Sequence, residues 1–287
     1  MTTSPSPAAD ARRLDRLIVT RPAPEVHAWV SALREQGWPA QALPLIHIGE
    51  PDAPDEQKGL GHWRAHWSQA DAILFVSGAA VSHFFASGVM PPQGGVKTRF
   101  WAPGPGTARL LAQALEPLGL DAGRIDSPAA DADQFDSEHL WPRVVSQVAP
   151  GRLVLIVRGT SSDPEATEAP EVAGSGRDWL IRQCLALGAR VEGCVAYVRH
   201  APSLAQADEI LIRSATDTGS IWLFSSSESL RTLRPLRPAP DWSRAEALVT
   251  HPRIGEAARD AGFGRVVVTK PALVDVMRTL ESVWNRP

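Results

Sequence analysis

Cysteine, tyrosine and net charge are all scarce in this chain. Cys184 and Cys194 are the only cysteines among 287 residues, and no CxxC pair or His/Cys cluster accompanies them. A disulfide framework and a structural zinc site are therefore excluded, and the two read as free thiols in a reducing compartment. The formal charge is only -3, which argues against a dedicated nucleic-acid protein but leaves room for a locally basic cleft. No apolar run approaches a membrane span. The opening "MTTSPSPAAD" lacks the basic-then-apolar order of a signal peptide and reads as a frayed tail. Common catalytic signatures are missing as well. There is no GxxxxGK[ST] phosphate loop. "GPGTAR" lacks the third glycine and acidic partner of a dinucleotide fingerprint. "FVSGA" is not a GxSxG elbow and has no evident Asp/His partners.

What is present is alternation. Short β-rich runs ("RLIVT" at 16–20, "AILFVS" at 72–77, "TRFWAP" at 98–103, "RLVLIVRG" at 152–159) are followed by helical stretches at about 24–36, 106–118 and 177–189. Gly37, Gly119 and Gly188 supply stops for the helices. "AQALPLIHI" (40–48) and "RVEGCVAYVRH" (190–200) read as extended, and "SIWLFSS", "EALVTHP" and "RVVVTKP" complete the series. Such alternation predicts α/β units with parallel sheet. Residues 160–176 are small, acidic and proline-bearing, and read as an exposed loop.

The alternation also repeats. Aligning Ser77 with Ser226 matches a strand, a small-residue turn and a helix in each half. About 25 residues further on, "FWAPGPGTARLLAQALEPLG" matches "ALVTHPRIGEAARDAGF". Upstream, "RLIVTRP" matches "LVLIVRG", pairing Arg21 with Arg158, and Gly37 pairs with Gly188.

In open parallel sheets, ligands sit beyond the carboxyl ends of the strands. The turns at Ser77, Gly104–Thr107, Ser226 and His251–Ile254 all occupy such ends. A helix start there offers backbone N–H groups and a positive dipole end, suited to a carboxylate or phosphate. Small residues such as Gly78 let a ligand approach the backbone. Each serine can equally be a simple helix cap, and both roles can hold together.

At this point the chain resembles the uroporphyrinogen-III synthase family. The likeness rests on "VTRP" (19–22), "DAILFVSGAAVSHF" (71–84), "PGPGTARLL" (103–111), "LIVRG" (155–159), "GRDWL" (176–180), "GARVEGCVAYVR" (188–199), "FSSSESL" (224–230) and "THPRIGEAARDAGF" (250–263). The resemblance implies two flavodoxin-like three-layer α/β domains joined by a two-stranded antiparallel linker. Domain 1 would be 1–38 plus 201–287, domain 2 would be 50–188, and 39–49 and 189–200 would be the linker strands. Two departures stand out: the acidic stretch between Gly159 and Gly176, and Ile254 where some members carry threonine.

The resemblance further implies a hydro-lyase of tetrapyrrole and haem biosynthesis; the cysteine usage and the lack of a leader read as cytoplasmic, and a monomer is expected. It would close hydroxymethylbilane, received from hydroxymethylbilane synthase, into uroporphyrinogen III. Ring D is inverted and water is lost, in the cleft between the domains, with no metal or organic cofactor. Unassisted closure gives the type I isomer, so the main task is to hold one geometry. Tyr197, the sole tyrosine, is the catalytic candidate, as donor to the leaving hydroxyl. Its alternative is an aromatic packing on a strand. Substrate carboxylates would meet Ser77, Gly78, Gly104, Thr107, Ser225, Ser226, His251 and Ile254, with Arg21, Arg158 and Arg253 adding charge-assisted contacts. Surface salt bridges are the alternative for the arginines. The competing function is a non-catalytic two-domain binding protein for an anionic metabolite.

Overall fold

The computed structural model describes residues 14–23, 25–91, 95–129, 136–162 and 176–284. The "MTTSPSPAAD" tail and residues 163–175 of the acidic stretch lie outside the described residues. The chain divides into two compact units, Met1–Ile48 with His200–Pro287, and Gly49–Arg199.

The first unit opens with β1 (Arg16–Val19), α1 (Glu25–Glu35) and β2 (Ala40–Ala42), and β3 (His47–Gly49) leads into the second. There follow α2 (Pro54–His66), β4 (Ala72–Phe75), α3 (Gly78–Phe84), β5 (Arg99–Trp101), α4 (Pro105–Leu115) and β6 (Ile125–Asp126). α5 (Ser137–Val144), β7 (Leu153–Ser161), α6 (Gly176–Ala186) and β8 (Arg190–His200) complete that unit. The chain returns to the first unit with α7 (Gln206–Ser214), β9 (Ser220–Phe224), α8 (Ser227–Leu233), β10 (Glu246–Val249), α9 (Pro252–Asp260), β11 (Arg265–Val268) and α10 (Leu273–Val283).

Local chemistry explains these elements. α1 buries Val26, Val30 and Leu33, one stripe at helical spacing, with Glu25 in its first turn and Arg34 in its last. It ends where Gly37 takes a φ of 83°. There the Trp38 N–H reaches back to the Leu33 carbonyl and the Gly37 N–H to that of Arg34. Gly188, its repeat partner, does the same with a φ of 78°, and the Ala189 N–H bonds the Cys184 carbonyl. A side chain at either position would meet the left-handed penalty.

The first sheet runs β11-β10-β9-β1-β2, with every neighbouring pair parallel. Its strands alternate between two cores. Ile18, Trp222, Phe224 and Val249 face Ile212 of α7, Leu230 and Leu233 of α8, and Ile254 and Ala258 of α9. Leu17, Val19, Leu223 and Leu248 face Val26, Val30 and Leu33 of α1 and Val276 and Leu280 of α10. Helices thus cover both faces, the arrangement that parallel sheets require. Each buried Val, Leu, Ile or Phe among them contributes about 1.5–3 kcal/mol.

The second sheet runs β3-β8-β7-β4-β5-β6, and the pairs from β8 through β6 are parallel. Matched through the repeat, β8-β7-β4-β5-β6 is β2-β1-β9-β10-β11 in the same spatial order. The two units share one strand arrangement with the chain entering at different points, so the sequence repeat is a circular permutation in three dimensions.

Three expectations change. "AQALPLIHI" is two strands, not one, with Pro44 between β2 and β3, since proline cannot donate to a ladder. The two stretches expected as linker strands are also sheet members. β2 pairs parallel with β1, and β8 pairs parallel with β7 from Leu153↔Arg190 to Ser161↔Arg199. Finally, β7 continues through Ser161, two residues into the expected loop.

Candidate active site

In a parallel sheet the carboxyl ends of neighbouring strands share one edge. In the second unit that edge gathers the β8, β7, β4 and β5 ends, and with them Tyr197, Arg158, the Ser77–Gly78 turn and the Gly104–Thr107 turn. In the first unit the β1, β9 and β10 ends gather Arg21, Ser225–Ser226 and His251–Ile254. The predicted residues therefore form two sets, one to a unit.

Tyr197 is the best-held of them. It is only 5% exposed. Its placement depends on a bulge, because Arg158 pairs with Val195 while Gly159 pairs with Tyr197, leaving Ala196 as the extra residue. A bulge re-aims the side chain that follows it. The ring then lies over Gly159, where an added Cβ would collide with Tyr197 Cε2 and Cζ. At its far end, Tyr197 Oη is 3.2 Å from Ser77 Oγ.

Ser77 is the N-cap of α3. Its backbone is extended and its Oγ accepts the Ala80 N–H at 3.2 Å. Gly78 follows for a packing reason: a Cβ there would come 2.7 Å from Leu110 Cδ1 of α4. Its small size serves the contact between two helices. The N-cap of α4 is Gly104, which has no side chain to cap it, and the helix begins with Pro105, which has no N–H. Gly106 and Thr107 carry the uncapped N–H groups of that first turn, and Thr107 is half-buried. Arg158, half-buried, stands just before the register shift.

The first unit's set is more occupied. Arg21 Nη1 bonds Glu25 Oε2 at 2.6 Å and its guanidinium sits 4.0 Å from the centre of the Trp29 ring. Its Nε is buried without a hydrogen-bond partner among the described residues. Ser226 caps α8, accepting the Glu228 N–H at 3.2 Å, with half-buried Ser225 before it. His251 caps α9 through Nδ1, which accepts the Arg253 N–H at 3.1 Å. An accepting Nδ1 places the proton of the neutral ring on Nε2. Arg253 is exposed. Ile254 is 5% exposed and its N–H is bonded to the His251 carbonyl at 3.0 Å. Its side chain belongs to the core and its backbone donor is already used, so the expectation of a ligand contact at Ile254 is not met.

A family model described as uroporphyrinogen-III synthase HemD matches residues 27–277. The chain belongs to the uroporphyrinogen-III synthase family. Uroporphyrinogen-III synthases are cyclising enzymes of haem biosynthesis. Over 271 residues the chain is 29% identical to the uroporphyrinogen-III synthase of Salmonella typhimurium strain LT2, covering 91% of this chain and 97% of that protein. It is also similar to the crystal structure of uroporphyrinogen-III synthetase from Helicobacter pylori 26695, at 12% identity and a TM-score of 0.53. That match covers 93% of this chain and 98% of the other. At that identity the likeness concerns the mixed α/β fold with parallel sheets.

Two neighbours of Tyr197 were not legible as such in the sequence of this synthase family member. Gly159 lies in the "LIVRG" motif, but its purpose shows only once Tyr197 is seen opposite. His83 of α3 carries no sequence signal, yet its ring centre lies 5.7 Å from that of Tyr197. The imidazole pKa is lowered, chiefly by burial, with Glu50 opposing and Arg64 adding to the shift. Among the described residues no group of three or more His, Cys, Asp or Glu could hold a metal ion, and no helix is long and apolar enough to cross a membrane.

Proposed function

We propose that this protein closes hydroxymethylbilane to uroporphyrinogen III, inverting ring D and releasing water, with Tyr197 as the proton donor. The observation that carries the reading is the family match across residues 27–277. In the donating step the phenol gives its proton to the substrate hydroxyl as the carbon–oxygen bond breaks and water leaves. Burial of Tyr197 and its contact with Ser77 support this role, because a fixed phenol is aligned before the substrate arrives. Substrate carboxylates meet the helix starts: the Ser77 and Ser225–Ser226 turns, the uncapped N–H groups at Gly106 and Thr107, and His251. Arg21, Arg158 and Arg253 add charge. The buried, unpartnered Nε of Arg21 favours a further acceptor at that residue.

The same reading treats the units as flavodoxin-like domains, 1–38 plus 201–287 and 50–188. The order β2-β1-β9-β10-β11 supports it, since it is the 2-1-3-4-5 arrangement of that fold class. The stretches 39–49 and 189–200 carry the chain between domains as an antiparallel connection, which the position of β3 beside β8 favours. The enzyme acts as a cytoplasmic monomer on substrate released by hydroxymethylbilane synthase. Two buried free thiols accord with a reducing compartment.

The test generates hydroxymethylbilane in place with the synthase that makes it and adds this protein. After acid quench and oxidation, the type I and type III porphyrins are separated by chromatography. The expected product is mostly type III. Type I alone, formed at the rate without protein, would overturn the reading and leave a non-catalytic binder of anionic metabolites. Tyr197→Phe is expected to form type III about 100-fold more slowly, at the low end of what a positioned proton donor contributes.

A further inference from the structure

His83 lies six residues beyond the cap Ser77, half-buried on α3. Its ring is tilted by 37° against the Tyr197 ring at a centroid separation of 5.7 Å. The backbone beneath it is pinned from α2. Arg64 donates from Nε to the Phe84 carbonyl at 3.0 Å and from Nη2 to the His83 carbonyl at 2.5 Å. Guanidinium donors at a helix C-terminus hold the last carbonyls in place. The imidazole therefore stands on a fixed platform beside the phenol.

The repeat gives a second, independent view of the same position. Ser77 matches Ser226, so His83 matches Thr232. Thr232 Oγ1 donates to the Leu45 carbonyl at 2.9 Å, in the segment that follows β2. β2 is the counterpart of β8. In each unit the sixth residue after the serine cap thus meets the strand beside β1 or β7 or the chain just past it, Leu45 after β2 in the first unit and Tyr197 within β8 in the second. The first unit does so with a hydroxyl on a carbonyl, and the second with an imidazole on the phenol.

We propose that His83 is a positioning residue for Tyr197, its imidazole bracing the ring that Ser77 holds at the oxygen. The inference rests on the reading of Tyr197 as proton donor only for its effect on turnover. The charged groups around the pair are Glu50 before α2, Arg64 on α2, and Arg199 of β8, whose guanidinium lies 6.0 Å from the Tyr197 ring centre. Burial favours the uncharged imidazole, with Arg64 acting the same way and Glu50 opposing. Protonating it sets a new cation against the phenol and changes both its surroundings and its position.

Because Tyr197 is the only tyrosine, protein labelled with carbon-13 at the tyrosine ζ position gives a single resonance from this site. That resonance is followed from acid to neutral pH. One step centred below 6.5 is expected. The step is absent in His83→Phe, which keeps an aromatic ring, and in His83→Gln, which adds no apolar bulk. It persists in His66→Gln, on the exposed part of α2. In the coupled assay both His83 variants lose about 10-fold or more in kcat for type III product, with KM little changed, as misplacement of a catalytic group predicts. No step, or a step that survives in both His83 variants, overturns the proposal. So does unchanged kcat in both. If Tyr197→Phe is fully active, the reading of Tyr197 as donor falls, while the resonance still decides whether His83 and Tyr197 are coupled.

Discussion

The ring of Tyr197 occupies the space that a side chain at Gly159 would need. The two face each other across β7 and β8 at the register shift, so the bulge and the glycine are one device. Gly159→Ala must push the ring away or reopen the strand pair. The expected cost is about 1–3 kcal/mol of stability, the range for overpacking a filled site. Activity is expected to fall by more than the lost folded fraction explains. Urea unfolding and turnover of the same sample check both, and unaltered turnover in the folded variant would contradict the arrangement.

Ser77 and Ser226 do the same structural work, each accepting a backbone N–H from the helix it caps. Only Ser77 also touches Tyr197. Ser77→Ala and Ser226→Ala should therefore lose similar stability, about 1 kcal/mol each. Their kinetics should part company. Ser77→Ala is expected to act mainly on kcat, through the loosened phenol, and Ser226→Ala mainly on KM, through a lost carboxylate contact. Steady-state analysis of both variants reads the difference directly.

Glu246 begins β10 at 4% exposure and holds the chain's last helix in place. Its Oε2 accepts Trp284 Nε1 at 2.9 Å and faces Arg265 Nη1 at 3.4 Å. Arg265 in turn lies 5.4 Å from the Trp284 ring centre. Glu246→Ala strands a buried indole N–H, so a loss of about 1–3 kcal/mol is expected. Trp284→Phe removes the donor and keeps an aromatic ring, and its loss should be smaller than that of Glu246→Ala. Thermal unfolding of the two variants compares them.

Cys184 and Cys194 are free and buried, and burial pushes their pKa values up to about 11 and about 12. Neither thiol should react with a disulfide-exchange reagent at pH 8 until the protein unfolds, when both react. The sign of the linkage is also fixed. Above the ordinary value of 9.0 the unfolded chain releases its thiol protons first. Stability therefore falls as pH rises between about 9 and the folded values, and Cys→Ala variants flatten that decline. Reaction of either thiol in the native protein at its unfolded rate would refute the burial.

Much of this architecture is legible in the chain because its signals are local. Apolar runs such as "LVLIV", glycine stops at 37 and 188, and the serine turns each report on a few adjacent residues, and the repeat multiplies them. α2 escapes because "PDEQKGLGHWRAH" contains two glycines and buries only Leu60 and Trp63, too thin a stripe to stand out. Strand pairing register is not local. The bulge at Ala196 and the need for Gly159 depend on which residues of β7 and β8 meet, and nothing in either strand alone announces it. The same holds for His83, which meets Tyr197 only once α3 has packed on the second sheet. Turn positions were legible, but side-chain direction was not: Ile254 lies in the turn the sequence indicated and faces the core.

The permuted strand order also sets a schedule for synthesis. All strands from β4 to β8 are contiguous in the chain, so the second unit's parallel core is complete once residue 200 has emerged. β1 lies inside the first sheet, between β9 and β2, and pairs early only with β2. Its other neighbour, β9, begins at residue 220. The apolar edge of β1 therefore waits for the whole of the other unit to be translated, at roughly 5–20 residues per second. The opening segment of the first unit is the part of the nascent chain that stays unpaired longest, and the second unit is the part able to fold before it.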